Sequence, residues 1–205
     1  MALVNPKNKE ILVKIVYCGP ERGGKTANLE YIYNRYKKRV SAKKVMVRTL
    51  GDKTLSFDFL PLEIGKIGGY NVRTQFFTVP GEVKHNATRR LVLKGADGIV
   101  FVADSMVVRR KNNILSLRDL QKNLTAHRKD ISKIPLVFQY NKRDLREQGI
   151  PLLPVETLEK DLNNRIKAPS FEASALTGAN VTATMQKVIS LTLSTVQKEL
   201  KWSNG

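Results

Sequence analysis

The sequence predicts an α/β fold, with a mostly parallel central sheet and helices on both faces. Three observations predict it. Strand-like and helix-like segments alternate along the chain. The runs "GIVFVAD" (98–104) and "IPLVFQY" (134–140) are almost continuously apolar, as strands buried on both faces of a parallel sheet are. The stretch "GPERGGKT" (19–26) fits the phosphate-loop pattern G-x-x-x-x-G-K-[ST], which joins a strand to a helix.

The elements follow in order. "ILVKIVYC" (11–18) is rich in β-branched residues and ends at Gly19, so it reads as the first strand. After the loop, Leu29, Ile32, Tyr33 and Tyr36 recur at i, i+3, i+4 and i+7, one face of a helix. "TLSFDFLPL" and "YNVRTQFFTV" are strands that flank "GKIGG", which reads as a hairpin loop. Leu117, Leu120 and Leu124 mark a long helix between the two apolar runs, and Thr157 to Ile166 reads as another. Met185, Val188, Ile189, Thr192 and Val196 give a C-terminal helical face. No repeat or low-complexity linker interrupts the pattern, and 205 residues suit one domain, 1–205, better than two.

Composition bounds the setting. A hydrophobic fraction of 41% and a charged fraction of 26% are those of a globular protein. No apolar run approaches the roughly 20 residues that span a bilayer. "MALVNPKNKE" offers no apolar signal segment, Gly is absent at position 2, and the tail "KWSNG" is no prenylation site. The single cysteine, Cys18, excludes an internal disulfide and fits a reducing compartment; at the end of a buried strand it reads as an inert core thiol. A soluble, cytoplasmic protein is expected. His85 and His127 lack metal-ligand spacing.

The net charge of +18 is unusual. "RYKKRVSAKK" (35–44) holds six basic residues, and "VVRRKNN" holds three more. A solvated surface accounts for such runs, and so does attraction to anionic membrane or an acidic partner. Nucleic acid is disfavoured, since no common binding motif is present and Tyr31, Tyr33 and Tyr36 fall at helical spacing rather than as a stacking platform.

The phosphate loop supplies the first candidate site residues: Gly19, Glu21, Arg22, Gly23, Gly24, Lys25, Thr26 and, just beyond, Ala27. A helix N-terminus holds unpaired N–H groups and a partial positive charge, which favour phosphate. Lys25 is expected to reach the β- and γ-phosphates, and Thr26 to ligate Mg²⁺. The base is read elsewhere. "NKRD" (141–144) follows a strand and fits N-K-x-D. Asp144 can accept from both guanine N1–H and its amino group, Asn141 can tie this loop to the phosphate loop, and the Lys142 stem can cover the base. "EASALTG" (172–178) fits E-x-S-A, so that Ser174, Ala175 and Leu176 join the binding set, with the Ala175 N–H expected on the guanine carbonyl. A site built to bond one base edge rejects the analogue lacking it, so GTP and GDP are expected over ATP.

With these motifs the chain resembles a small Ras-like GTPase of the bacterial gliding-motility MglA family. The resemblance covers nearly the whole chain and is carried by "GKTANLEYIY", "TLSFDFLPL", "FTVPGE", "ATRRLVLKGADGIVFVADS" and "YNKRDL". Thr78 of T-V-P-G stands where most Ras-like proteins have Asp of D-x-x-G. The resemblance implies a Ras-like P-loop GTPase fold and a GTP/GDP- and Mg²⁺-binding polarity switch in a bacterial cytoplasm. It implies docking at a cell pole on polar effector proteins, under a Roadblock-type, MglB-like regulator. It makes Thr54 the switch-I threonine, which shares Mg²⁺ with Thr26. It makes 49–61 the first switch and 81–88 the second, with Gly81 in the nucleotide-binding set. It also implies that the strand "LSFDFLPLEIG" shifts on activation.

Three departures touch hydrolysis. The family usually has glutamine where this chain has Glu82, arginine where it has Lys53, and glycine where it has Glu21. An ionised Glu82 can accept from water but cannot donate to phosphoryl oxygens. Lys53 lacks the planar fork that grips them. Glu21, turned outward and paired with a nearby cation, would still crowd the place where an arginine and a water meet. In the Ras example an arginine finger contributes about 10³–10⁵ in rate, so weak intrinsic turnover is expected, with Glu82, Lys53 and Thr54 as the catalytic candidates. The opposite reading stands beside it, with Glu82 as a base, Lys53 as a weaker finger, or an arginine supplied by a partner. Two functions follow: a switch with slow or partner-dependent hydrolysis, or a nucleotide-loaded scaffold that does not cycle.

Overall fold

The computed structural model describes residues 2–40, 45–47, 57–80 and 86–203. Among these, eight strands form one sheet. The strands are β1 (Leu3–Asn5), β2 (Glu10–Cys18), β3 (Val45–Val47), β4 (Phe57–Ile67), β5 (Tyr70–Thr78), β6 (Gly98–Asp104), β7 (Leu136–Asn141) and β8 (Ser170–Glu172). Their order is β3-β4-β5-β2-β6-β7-β8. Pairing is parallel from β5 through β2, β6 and β7 to β8, and antiparallel on the β3-β4-β5 side. β1 turns back on Glu10–Leu12 of β2, while β6 takes Ile15–Cys18 of the same strand.

Period-two alternation divides the core. Ile15 and Tyr17 face one way, where Leu29 and Ile32 of α1 (Lys25–Arg35) and Met185, Val188 and Ile189 of α5 (Val181–Ser203) cover the sheet. Val16 and Cys18 face the other way. There Val92 and Leu93 of α2 (Asn86–Leu93) and Leu117, Leu120 and Leu124 of α3 (Arg110–Ala126) close the second core. An Arg89–Asp119 ion pair joins α2 to α3. Every residue of β6 and β7 is buried, as two-sided coverage of their apolar runs requires. The expected architecture is therefore the observed one.

Several boundaries differ from the expectation, each for a local reason. The hairpin loop is not "GKIGG" but the Gly68-Gly69 pair alone, both at positive φ (56° and 82°), as a two-residue primed turn demands. A bulge between Glu63 and Gly65 absorbs one residue and lets the ladder continue to Ile67↔Tyr70. The segment 157–166 is not one α-helix. A single turn, α4 (Val155–Leu158), starts after Pro154 and passes into a π-helix at Glu159–Asn163. Asn163 then stops it, as its amide exchanges bonds of 2.8 Å with both the N–H and the carbonyl of Ala168. β1, β3 and β8 have three residues each, too few for a period to show.

Two predictions follow from this packing. Gly98 faces α5 so closely that a Cβ would lie 2.3 Å from Thr192 Oγ1 and 3.2 Å from Val188 Cγ2. Gly98→Ala should lower stability by about 1–3 kcal/mol in urea unfolding. The Cys18 thiol, 2% exposed, is pushed up to about 12 by burial. Its thiolate fraction at pH 8 is then of order 10⁻⁴, so a thiol reagent should react with Cys18 far faster after unfolding than before.

Candidate functional site

The site gathers at the carboxyl ends of β2, β6 and β7, where open parallel sheets place ligands. The phosphate loop leaves β2 at Gly19 and enters α1 at Lys25. Gly19 has φ +141°, and a Cβ there would lie 2.1 Å from the Val102 carbonyl oxygen. Gly24 has φ +97°, and a Cβ would lie 2.1 Å from Asn141 Nδ2. Both positions exclude a side chain, so the loop wraps back tightly enough to present backbone. Gly24 is also the N-cap of α1; no side chain caps the helix and its first turn holds no acidic residue. The exposed end of the helix dipole thus opens into the loop.

Lys25 is 7% exposed, and its ammonium donates to the carbonyls of Gly19 (3.0 Å) and Pro20 (2.7 Å). Its charge is thereby drawn back under the loop. Thr26 is exposed at the start of α1, with Ala27 half-buried beside it. Arg22 sits at φ 58°. Glu21 and Arg22 point into solvent, 3.7 Å apart as an ion pair, as expected of a loop that binds through its amides. Thr78 ends β5 in register with Tyr17, which brings the T-V-P-G start beside the phosphate loop.

The residues expected to read the base converge from two more loops. Asn141 ends β7 and is 1% exposed. Its Nδ2 donates to the Gly23 carbonyl at 2.9 Å, and its Oδ1 accepts the Ala175 N–H at 2.8 Å. Asn141 thus ties the loop to the phosphate loop as expected. The Ala175 N–H, expected on the guanine carbonyl, is directed here onto Asn141. Ser174 turns inward, where its hydroxyl accepts the Thr177 N–H at 3.1 Å and shapes the turn. Arg143 bonds Glu172 (2.8 Å) and the Leu153 carbonyl (2.8 Å), which steadies the "NKRD" turn from outside.

Between these loops lies a cavity of about 490 Å³. Gly24 and Ala27 from the start of α1, Asn141, Lys142 and Asp144 from the "NKRD" turn, and Ala175 and Leu176 from the "EASALTG" loop line it. Leu176 is 78% exposed, an apolar lid edge that no core packing explains. The volume and lining suit a purine nucleoside with its phosphates on the α1 terminus. Tyr31 also lines the cavity, and a Cβ at Gly178 would lie 2.1 Å from its ring, so it wedges the E-x-S-A turn in place. Sequence reading assigned Tyr31 only to a helix face. The available signal was its place one turn after Ala27 on the loop's own helix. The catalytic candidates Glu82, Lys53 and Thr54, with Gly81, lie outside the described residues.

No group of three His, Cys, Asp or Glu among the described residues could hold a metal ion.

Comparison with known proteins agrees with this geometry. The Ras family pattern matches residues 14–194. The mutual gliding-motility protein MglA of Myxococcus xanthus (strain DK1622) is 45% identical over 198 residues, covering 97% of this chain and 99% of its own.

Asn141→Ala should break both loop contacts at once and leave buried partners unpaired. It should lower stability by about 1–3 kcal/mol per orphaned group, read by chemical denaturation without ligand.

Proposed function

The chain belongs to the Ras family as a small GTPase of the MglA type, and on that premise we propose that it is a guanine-nucleotide switch controlling cell polarity or motility. The observation that carries the proposal is the pair of hydrogen bonds made by the Asn141 amide. One buried side chain joins the Gly23 carbonyl of the phosphate loop to the Ala175 N–H of the base loop. Phosphate and purine would thus be gripped by one connected frame. Such a frame supports recognition of a whole nucleotide rather than of phosphate alone.

Within it, the amides from Glu21 to Thr26 and the Lys25 ammonium would hold the phosphates. Asp144 would accept from N1–H and the amino group of guanine, and the Lys142 stem and Leu176 would cover its faces. Thr26, with Thr54, would hold Mg²⁺, which would supply positive charge to offset that of the phosphates. Hydrolysis would be slow or partner-dependent. Glu82 cannot donate to the γ-phosphoryl oxygens when ionised, and Lys53 stands where relatives use a planar guanidinium. Glu21 keeps its carboxylate outside the loop, so the loop's own departure bears on the approach of a partner more than on nucleotide affinity.

The name of the Myxococcus relative supports a role in gliding motility or cell polarity. A Roadblock-type regulator and polar effectors are the proposed partners, and a cytoplasmic protein recruited to a pole is the proposed location. No helix among the described residues is long and apolar enough to cross a membrane. The basic surface would serve an acidic partner or an anionic membrane through the +18 charge.

Titration in magnesium buffer should give tight binding of GDP and GTP, with ATP weaker by about 10⁴. Asp144→Ala should abolish that discrimination. In single-turnover assays without partners, hydrolysis should be slow, and Glu82→Gln should accelerate it. Fast partner-free hydrolysis that disappears in Glu82→Ala would refute the slow-turnover reading. A bound nucleotide that neither exchanges nor turns over would instead identify a scaffold.

A further inference from the structure

The last residue of β6 is a carboxylate that none of the roles above uses. Asp104 ends the otherwise apolar "GIVFVAD", and its side chain is fully buried (0% exposed). A buried carboxylate is costly unless it is paired and hydrogen-bonded. Here it is paired with two cations. Lys142 Nζ donates to Oδ2 at 2.7 Å, and Arg109 Nε stands 3.7 Å from the same oxygen. The other oxygen accepts the Met106 N–H at 3.1 Å. The backbone of Asp104 is fixed as well. Asn113, 1% exposed, accepts its N–H at 2.9 Å and donates to its carbonyl at 2.8 Å.

Each cation leads to a different loop of the site. Lys142 belongs to the base loop and sits in the left-handed region at φ 70°. Arg109 reaches past Asp104 and donates from a terminal nitrogen to the Glu21 carbonyl of the phosphate loop at 2.6 Å. The next residue, Arg22, is also left-handed at φ 58°. Non-glycine residues in this region are unfavourable and persist when their surroundings over-determine them. Both loops therefore carry backbone strain, and one buried charge lies behind both. The Asn141 bonds join the loops through backbone groups; Asp104 joins them again through charge, from a separate strand.

We infer that Asp104 is a positioning residue for the nucleotide, holding the base loop through Lys142 and the phosphate loop through Arg109. The inference rests on the guanine-nucleotide reading above. It implies that Arg109 acts on the phosphate loop only while Asp104 holds it. Loss of the carboxylate should loosen both ends of the site together. Loss of Arg109 in a chain that already lacks the carboxylate should then change little.

The test is the release of a fluorescent GDP analogue from the full chain in magnesium buffer, after addition of excess GDP. Asp104→Asn keeps the size and an acceptor for the Met106 N–H while removing the charge. It should speed release about tenfold, Arg109→Ala should do so by less, and Arg109→Lys should fall between that variant and the wild type. The double variant Asp104→Asn/Arg109→Ala should release no faster than Asp104→Asn alone. Release at the wild-type rate in Asp104→Asn overturns the inference, even if its melting temperature falls, because the residue would then be structural only. A double variant equal to the product of the singles overturns it too. Should Asp104→Asn fail to fold, the Arg109 pair decides, and Arg109→Ala releasing at the wild-type rate overturns the inference. A wild-type chain that binds no analogue removes the guanine reading and this inference with it, a result distinct from any variant behaving as wild type.

Discussion

The two hydrogen bonds of Asn141 are the constraint on which the site depends. Its amide must find partners because it is buried to 1% at the end of a strand with no exposed residue. The partners it finds are a carbonyl after β2 and an N–H after β8. Three loops that are distant in the chain thereby share one side chain. The close approach that makes these bonds possible is the one that excludes a Cβ at Gly24. Loop composition and strand-end chemistry thus depend on each other.

The sheet explains why this frame stays in place. β2, β6 and β7 run parallel between two apolar layers, so their carboxyl ends are fixed to the packing of both cores. Polar residues appear in these strands mostly where they end: Asp104 and Asn141 close their runs, and each bonds something outside its own strand. Binding chemistry is therefore concentrated at one rim of a rigid layer. A rim of this kind holds loops through side chains whose own freedom is already lost to burial, which is what precise recognition requires.

The same arrangement keeps the proposed binding residues apart from the proposed hydrolytic ones. The groups proposed to hold phosphate and purine are rooted in β2, β7 and the loop after β8. The catalytic candidates Lys53 and Glu82, where the family resemblance implies arginine and glutamine, belong to other segments. Glu21, where the resemblance implies glycine, lies in the phosphate loop itself; its side chain faces solvent while its carbonyl is held by Arg109. On the proposed reading, hydrolysis and recognition are carried by different loops, so a change in rate need not change what is recognised.

The sequence by itself determined the class of the fold, the order of the main elements and most of the residues that line the cavity between the loops. Apolar runs bounded by "GPERGGKT", "NKRD" and "EASALTG" are local patterns, and local patterns survive in one dimension. It did not determine that Ile64 would bulge so that β4 reaches Ile67, or that Asn163 would end a π-turn, since those choices depend on a partner strand and a later carbonyl. Tyr31, Asp104 and Arg109 read as a helix face, a strand end and part of a basic run. Only tertiary structure placed Tyr31 against Gly178 and set Arg109 and Lys142 on one buried carboxylate. The reason is separation: Lys142 lies 38 residues from Asp104, and Arg109 lies 88 from Glu21. A contact between residues so far apart leaves no spacing in the chain; it exists only once β2, β6 and β7 are side by side.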